Sequence, residues 1–371
     1  MRIIQVIDVR WFNACADFAI KQALGLKLCG HEILLMANPG SPPAVKARQL
    51  GLDVSEEIDF AGVIGTFRAV KLLKSLVRNF DADIVFAHRG ESHLIGALAV
   101  RNMRCKLARF RGDVRVPGRG IFSRWLNNRL TNGIAVSSEK LKHEYENRFR
   151  LNGIPTSVIY PGIDSAPFEI TRSKREMKQK FGLDPERPVI GIIGRFSPVK
   201  GHRYFIEAAK IVSLRHPEAQ FIIAGEDAQL SALDLSRSAA ILKIPGLKII
   251  GLLDNVNELI QAFDIGVVSS VGSEMICRVL LEYFAAGLPV VATAVNQVSE
   301  LMLISNGGRL VAPADPVALA DGMVGLLENP GLRLQHSRSG AEWVRRRSLT
   351  DLGKDSEEFL REVLNAKQDS H

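Results

Sequence analysis

Two α/β domains, each a doubly wound parallel sheet, are what this sequence predicts, and three observations predict it. Short β-branched runs alternate with longer helical patterns almost throughout, which is the sequence form of βαβ units. The 371 residues exceed one ordinary domain of about 150. A stretch rich in proline, glycine and charge, YPGIDSAPFEITRSKREMKQKFGLDPERP, separates two series of such runs and has the composition of a boundary. A linker is therefore expected near 161–188, with one domain over 1–164 and a second over 165–349.

In the first series the expected strands are RIIQVI (2–7), EILLMA (32–37), DIVFA (83–87), KLARF (106–110), GIAVS (133–137) and SVIY (157–160), with helices at 16–29, 66–79, 91–101 and 138–150. The second series supplies VIGIIG (189–194), QFIIAG (220–225), LKII (247–250), DIGVVS (264–269) and PVVAT (289–293). Between two of these, residues 202–215 place Phe205, Ala208, Ala209 and Val212 on one helical stripe, and Pro217 follows where the helix should stop. One more helical pattern occupies 350–371.

Composition narrows the function classes. Apolar residues make up 46% and charged residues 24%, enough for an ordinary core and unlike a disordered chain. The net charge of +8 favours anionic partners. Cys15, Cys29, Cys105 and Cys277 form no C-x-x-C or zinc-type spacing, so they read as free thiols in a reducing compartment, with no metal site. The opening MRIIQVIDVRW meets Asp8 and Arg10 too early for a signal peptide, and no apolar run reaches the roughly 18 residues of a membrane span. A cytoplasmic location is expected.

GRFSPVKG, residues 194–201, leaves an apolar strand and enters an amphipathic helix. Ligands of open parallel sheets bind outside the carboxyl ends of strands, and the following helix start attracts anions. Arg195 and Lys200 add a planar fork and a point charge there, a combination suited to a diphosphate. An isolated Arg–Lys pair in a loop is more often simply solvated, but a second motif favours the site. In VGSEMICRVLLEYFAAGLPVVAT (271–293), Glu274 and Glu282 are separated by seven residues, and Glu282 lies in a helix expected to end at Gly287. Eight helical rises amount to at most about 12 Å, comparable with the span from a sugar across two phosphates to a ribose. One carboxylate suits the sugar hydroxyls and the other the ribose, with the amides of Met275, Ile276 and Cys277 facing the phosphates between them. The loop after LKII, around Gly251 to Leu253, is expected beside the nucleobase.

His88 follows the strand DIVFA, again a ligand position in this fold class, though His93 close by leaves a structural histidine equally open. Asp81-Ala82-Asp83 precedes its strand, away from the crevice, and reads as a turn cap rather than a metal site. No G-x-G-x-x-G follows a strand, and no Walker A loop or G-x-S-x-G elbow is present, which removes the main support for dinucleotide redox chemistry. Residues 101–129 hold nine basic residues against Asp113 alone, an excess equal to that of the whole chain. Arg109, Arg111, Arg115, Arg119, Arg124 and Trp125 are thus candidates for a surface that meets an anionic membrane or the acceptor. In 121–130 the residues Ile121, Phe122, Trp125, Leu126 and Leu130 share a side opposite Arg124, Asn127 and Asn128. Such a helix suits an anionic membrane surface, or it packs on the first sheet with its arginines in water. Nucleic acid is not expected, since no recognition module accompanies the charge.

These motifs resemble those of the retaining nucleotide-sugar glycosyltransferases of family 4. GRFSPVKG resembles the family's donor-phosphate loop, SEMICRVLLEYFAAGLPVVAT its segment of two spaced glutamates, and GHEILLMANPGSP, FAHRGESHLIGALAV and VIYPGID its first-half strands and linker entry. The resemblance implies a GT-B architecture, two Rossmann-like domains facing across a cleft, with the acceptor on the first, the nucleotide sugar on the second, and the terminal helix at about 350–371 packing back on the first. It implies Arg195 and Lys200 at the diphosphate, Glu274 at the transferred sugar, Glu282 at the ribose and His88 near the reacting sugar. It further implies transfer to a hydroxyl of a glycan or glycolipid without a metal or other cofactor. Asn13 and Ala14 stand in WFNACAD where the family commonly has a Gly-Gly loop at the donor phosphate, and Cys277 stands where many members have glycine. The S-E-x-x-x-R-V-x-L-E form resembles the bacterial subgroup that builds lipopolysaccharide and other envelope glycans. An epimerase acting on the donor alone, or a non-catalytic sugar- or lipid-binding protein, would share this architecture.

Overall fold

A computed structural model describes residues 1–113, 118, 120–149, 151, 153–169, 172–253 and 255–366. They form two compact units, Met1–Gly162 with Arg347–His371, and Ile163–Arg346.

The first unit runs β1 (Arg2–Ile7), α1 (Ala14–Leu28), β2 (Glu32–Ala37), α2 (Pro42–Gln49), β3 (Asp53–Ser55), α3 (Gly62–Asn79), β4 (Ile84–Ala87), α4 (Gly90–Val100), β5 (Lys106–Arg111), α5 (Ile121–Arg129), β6 (Gly133–Val136), α6 (Glu139–Arg148) and β7 (Thr156–Val158). Its sheet has the order β3-β2-β1-β4-β5-β6-β7 among the described residues, and every strand pair is parallel. The order reverses between β1 and β4, which opens a crevice at their carboxyl ends.

The second unit runs α7 (Lys174–Lys180), β8 (Val189–Ile193), α8 (His202–Arg215), β9 (Gln220–Ala224), α9 (Ala232–Leu242), β10 (Leu247–Ile250), α10 (Val256–Gln261), β11 (Ile265–Val268), α11 (Arg278–Ala285), β12 (Val290–Thr293), α12 (Asn296–Ser305), β13 (Gly308–Val311), α13 (Pro316–Glu328) and α14 (Pro330–Arg345). Its strands, ordered β10-β9-β8-β11-β12-β13, are also parallel, and the order reverses between β8 and β11. Phe205, Ala208, Ala209 and Val212 of α8 are fully buried in this unit's core with Ile190, Phe221, Ile265 and Met323. That is the stripe read from periodicity.

The expected linker is not a plain connection. Within 161–188 lie a 3-10 turn at Ala166–Phe168 and α7, and the ammonium of the buried Lys178 lies 2.8 Å from a carboxylate oxygen of Asp264. The last helix, α15 (Leu349–Asn365), packs on α1 of the first unit. Glycine permits the close approach: a Cβ on Gly25 would stand 2.2 Å from the carbonyl oxygen of Leu349, and one on Gly353 2.2 Å from that of Gly25. Beside them the Gln22 amide donates to Ser356 Oγ at 2.9 Å.

Candidate active site

Strand β8 ends at Ile193, and the chain turns through Gly194–Gly201 into α8 at the switch point of the second sheet. Gly201 has φ +71°, and a Cβ there would lie 1.9 Å from the carbonyl oxygen of Ser269, so only glycine fits. Phe196 is buried and stacks edge-on with His202, 5.4 Å between centroids. His202 Nε2 pairs at 3.1 Å with the carbonyl oxygen of Arg195, and burial lowers its pKa, so this contact is N–H donation from a neutral ring. The backbone of Arg195 is thereby fixed, while its side chain is exposed.

The neighbouring loop, after β11, is tied to this one. Val271 N donates to the carbonyl oxygen of Val199 at 2.9 Å, and Ser269 Oγ donates to those of Lys200 and Gly201, each at 3.0 Å. Lys200 lies with its stem over Gly194 and forms an ion pair with Glu274. Ser270 Oγ donates to the same Glu274 oxygen at 2.7 Å. Glu274 is only 5% exposed, and these partners offset the cost of burying its carboxylate.

Ser273 and Glu274 both occupy the left-handed region, with φ +60° and +55°, and such residues persist where the surroundings over-determine them. Here the start of α12 does so. The Asn296 side-chain amide donates to the carbonyl oxygen of Ser273, Gln297 N donates to that of Glu274 at 3.2 Å, and Cys277 N donates to Gln297 Oε1 at 3.1 Å. The Cys277 amide, one of three expected to face phosphate, is thus already engaged. Ile276 and Cys277 are buried and Met275 half-buried, just before α11 begins at Arg278. The Cys277 thiol packs against Glu274, and burial pushes its pKa well up, so it stays neutral.

Along α11 the half-buried Glu282 lies 3.7 Å from Arg278. The next residue fixes the helix to β8: Ile193 N donates to Tyr283 Oη at 3.0 Å. The helix then closes as expected, with Gly287 at φ +67°. Gly251 and Leu253 follow β10, two strands and about 10 Å from β8.

In the first unit, Asn13 caps α1 by accepting from Ala16 N at 3.0 Å, and Ala14 opens the helix, both half-buried beside the β1–β4 crevice. Asp8, in the same loop, has its pKa raised to about 6, chiefly by burial.

His88 follows β4 directly and is enclosed. It has 0% exposure, and its ring is packed among Phe86, Phe110 and Phe18 at centroid distances of 5.2, 5.9 and 6.4 Å. Neither ring nitrogen has a hydrogen-bond partner among the described residues. Burial, aided by Arg109, lowers its pKa to about 3. The neutral imidazole thus lies among aromatic rings at the carboxyl end of β4, with both nitrogens unpaired among the described residues.

The basic segment is corrected. Arg109 is buried and contacts the carbonyl oxygen of Ala87 and Asp113, each at 3.4 Å; Arg111 is buried with Asp113 at 2.9 Å and lies over the Tyr145 ring. Neither forms a surface. Arg115 and Arg119 lie outside the described residues. Arg124 and Trp125 are exposed on α5, whose buried side is Leu126 and Asn127, so Asn127 is on the inward side and Ile121, Phe122 and Trp125 face water.

Sequence reasoning missed Ser270, Asn296 and Gln297. The available signal was position, since each follows a buried strand at the ligand edge.

Residues 19–166 match the model for Glycosyltransferase Family 4, and residues 187–329 match the model for Glycosyl transferases group 1. The chain is 30% identical over 174 residues to an alpha-D-kanosaminyltransferase of Streptomyces kanamyceticus, covering 46% of this chain and 44% of that one. It is 29% identical over 198 residues to a phosphatidyl-myo-inositol mannosyltransferase of Mycobacterium leprae, covering 52% and 48%. The matched stretch spans about half the length of each of these relatives. In fold it resembles the crystal structure of Anabaena Alr3699/HepE in complex with UDP, at TM-score 0.86 and 20% identity, covering 97% of this chain and 100% of that one. The chain thus joins a Glycosyltransferase Family 4 domain to a Glycosyl transferases group 1 domain.

Proposed function

We propose that this protein is a retaining glycosyltransferase. It moves a sugar from a nucleoside diphosphate sugar to a hydroxyl of a glycan or glycolipid, in lipopolysaccharide or other envelope glycan synthesis, without a bound metal. The observation that carries this reading is the Lys200–Glu274 pair at the β8–β11 switch point. The relatives support the coarse activity, being a kanosaminyltransferase and a mannosyltransferase, and the HepE structure holds UDP.

In the reaction, negative charge grows on the leaving diphosphate as the sugar C1–O bond breaks. Lys200 and the exposed Arg195 oppose that charge, with the Met275 and Ile276 amides beside them. The arriving phosphate shares the Lys200 ammonium, and Glu274, still held by Ser270, takes the sugar hydroxyls. Glu282 takes the ribose, and the base lies near Gly251 and Leu253. The acceptor hydroxyl attacks the face the diphosphate leaves and passes its proton to the departing diphosphate oxygen, so the C1–O bond to the phosphate is exchanged for one to the acceptor and the anomeric configuration is kept. The work is done against the cytoplasmic side of the membrane.

Thermal melting with UDP-, GDP- and ADP-sugars tests the donor assignment, because a ligand of the folded state raises its melting point. One donor class should raise it by several degrees and, with a hydroxyl acceptor in the presence of EDTA, yield an α-linked product from an α-linked donor. If none raises it, the donor site is refuted. Conversion of the donor without acceptor would mark an epimerase.

A further inference from the structure

We infer that Asp8 is a specificity-determining residue of the transfer: its carboxylate takes a hydroxyl of the acceptor sugar at the switch point of the first sheet, and Trp11 of the same loop packs on the sugar ring. The inference rests on the proposed transfer and deepens it. Asp8 directly follows β1, and its charged neighbours Arg89 and Glu91 stand at the start of α4, after β4. The carboxylate therefore lies where the two chain segments diverge, in the crevice that an open parallel sheet offers to ligands. Its side chain is only 5% exposed, and Oδ1 is buried without a hydrogen-bond partner among the described residues. Arg89 Nε stands 3.9 Å from that oxygen and 3.9 Å from Glu91 Oε2, too far to donate to either. A carboxylate buried with an unpaired oxygen costs the fold stability. A ligand hydroxyl that donates to it supplies the missing bond.

The loop that carries Asp8 is held before any ligand arrives. Asn38 Nδ2 donates to the carbonyl oxygen of Asp8 at 2.9 Å, and Asn38 Oδ1 accepts from Phe60 N at 3.0 Å. Val9 is buried, Arg10 pairs with Asp59, and Asn13 caps α1. Between these anchors Trp11 is 55% exposed, an indole that the core does not use. A pyranose presents hydroxyls at its rim and an apolar C–H face, and a carboxylate beside an exposed indole answers both. The same loop lines, through Phe12, a cleft of about 460 Å³ with Pro42, Val45 and Lys46, which has room for a sugar ring. Burial lifts the Asp8 pKa to about 6, so at neutral pH the group is ionised and accepts hydrogen bonds rather than donating them.

Saturation-transfer NMR of the full chain at neutral pH with methyl glucoside, methyl galactoside and methyl mannoside tests the inference. At least one of these sugars should bind the parent protein, and Asp8→Ala and Trp11→Ala should each weaken that binding at least about tenfold. Asp8→Asn, whose amide oxygen still accepts, should weaken it less. The melting temperature of Asp8→Ala should equal or exceed that of the parent, because a buried, unpaired carboxylate is removed, and stabilisation by a nucleotide sugar should persist in it. A parent that binds none of the three sugars, or an alanine variant that binds like the parent, would overturn the inference. So would a lower melting temperature of Asp8→Ala, which would mark a structural carboxylate. The donor reading fails separately, through nucleotide sugars that do not stabilise the parent, and sugar binding at Asp8 is read without them.

Discussion

Glu274 sits in a strained backbone and points its carboxylate at an ammonium. Two consecutive non-glycine residues at positive φ cost about 1 kcal/mol each or more, and the ion pair with Lys200 together with the Ser270 hydroxyl offsets that cost. Lys200→Ala leaves a buried carboxylate without its cation and, on the proposed function, removes the charge that faces the diphosphate. Turnover should fall by at least about tenfold, with a loss of about 2 kcal/mol of stability. Steady-state kinetics and urea unfolding measure the two effects, and near-normal turnover would reject the phosphate role. The spacing of Glu274 and Glu282 was readable from the sequence, because loop and helix lie next to each other along the chain. The burial of His88, Arg109 and Arg111 was not, because it depends on rings contributed by α1 and β5 and on Tyr145 of α6.

Among the elements, α12 does more than cover a strand. Its first two residues hold the backbone of Ser273, Glu274 and Cys277, making Asn296 and Gln297 positioning residues for the carboxylate. Gln297→Ala removes the acceptor for the Cys277 amide and should lower kcat about tenfold while changing KM little, as expected when an interaction of the transition state is misplaced. Gln297→Glu keeps the acceptor oxygen and should recover most of the rate; an alanine variant as fast as the parent would remove the role. Periodicity found the central strands because strands buried on both faces are near-continuous apolar runs. It missed β3, the three residues DVS, and β13, GRLV, which close the two sheets at their edges and lack such a run.

At the scale of the whole molecule, the buried histidines should make stability depend on pH. For His88, whose folded pKa is about 3 against about 6.5 when unfolded, the unfolded state binds more protons between those values. Stability therefore rises with pH through this window, and His88 alone accounts for about 5 kcal/mol lost as pH falls from 6.5 to 3. His31, His93 and His202 are also lowered, chiefly by burial, and act in the same direction. Asp8, raised to about 6, acts oppositely between pH 4 and 6 over a smaller shift. The melting temperature should climb from pH 4 to 6.5 and then level, and His88→Met should flatten the climb; an unchanged slope would show that the imidazole is not neutral in the fold. What the sequence determined by itself was the two series of βαβ units and the charged loop at the second switch point, since strand burial, helix periodicity and motif spacing are local properties of the chain. Only the tertiary structure decided which of the marked residues are enclosed and which lie open at the strand ends. Burial and hydrogen bonding are settled by what distant segments pack against a side chain, and this enclosed His88 in phenylalanine rings while bringing Asn296 and Gln297 beneath Glu274.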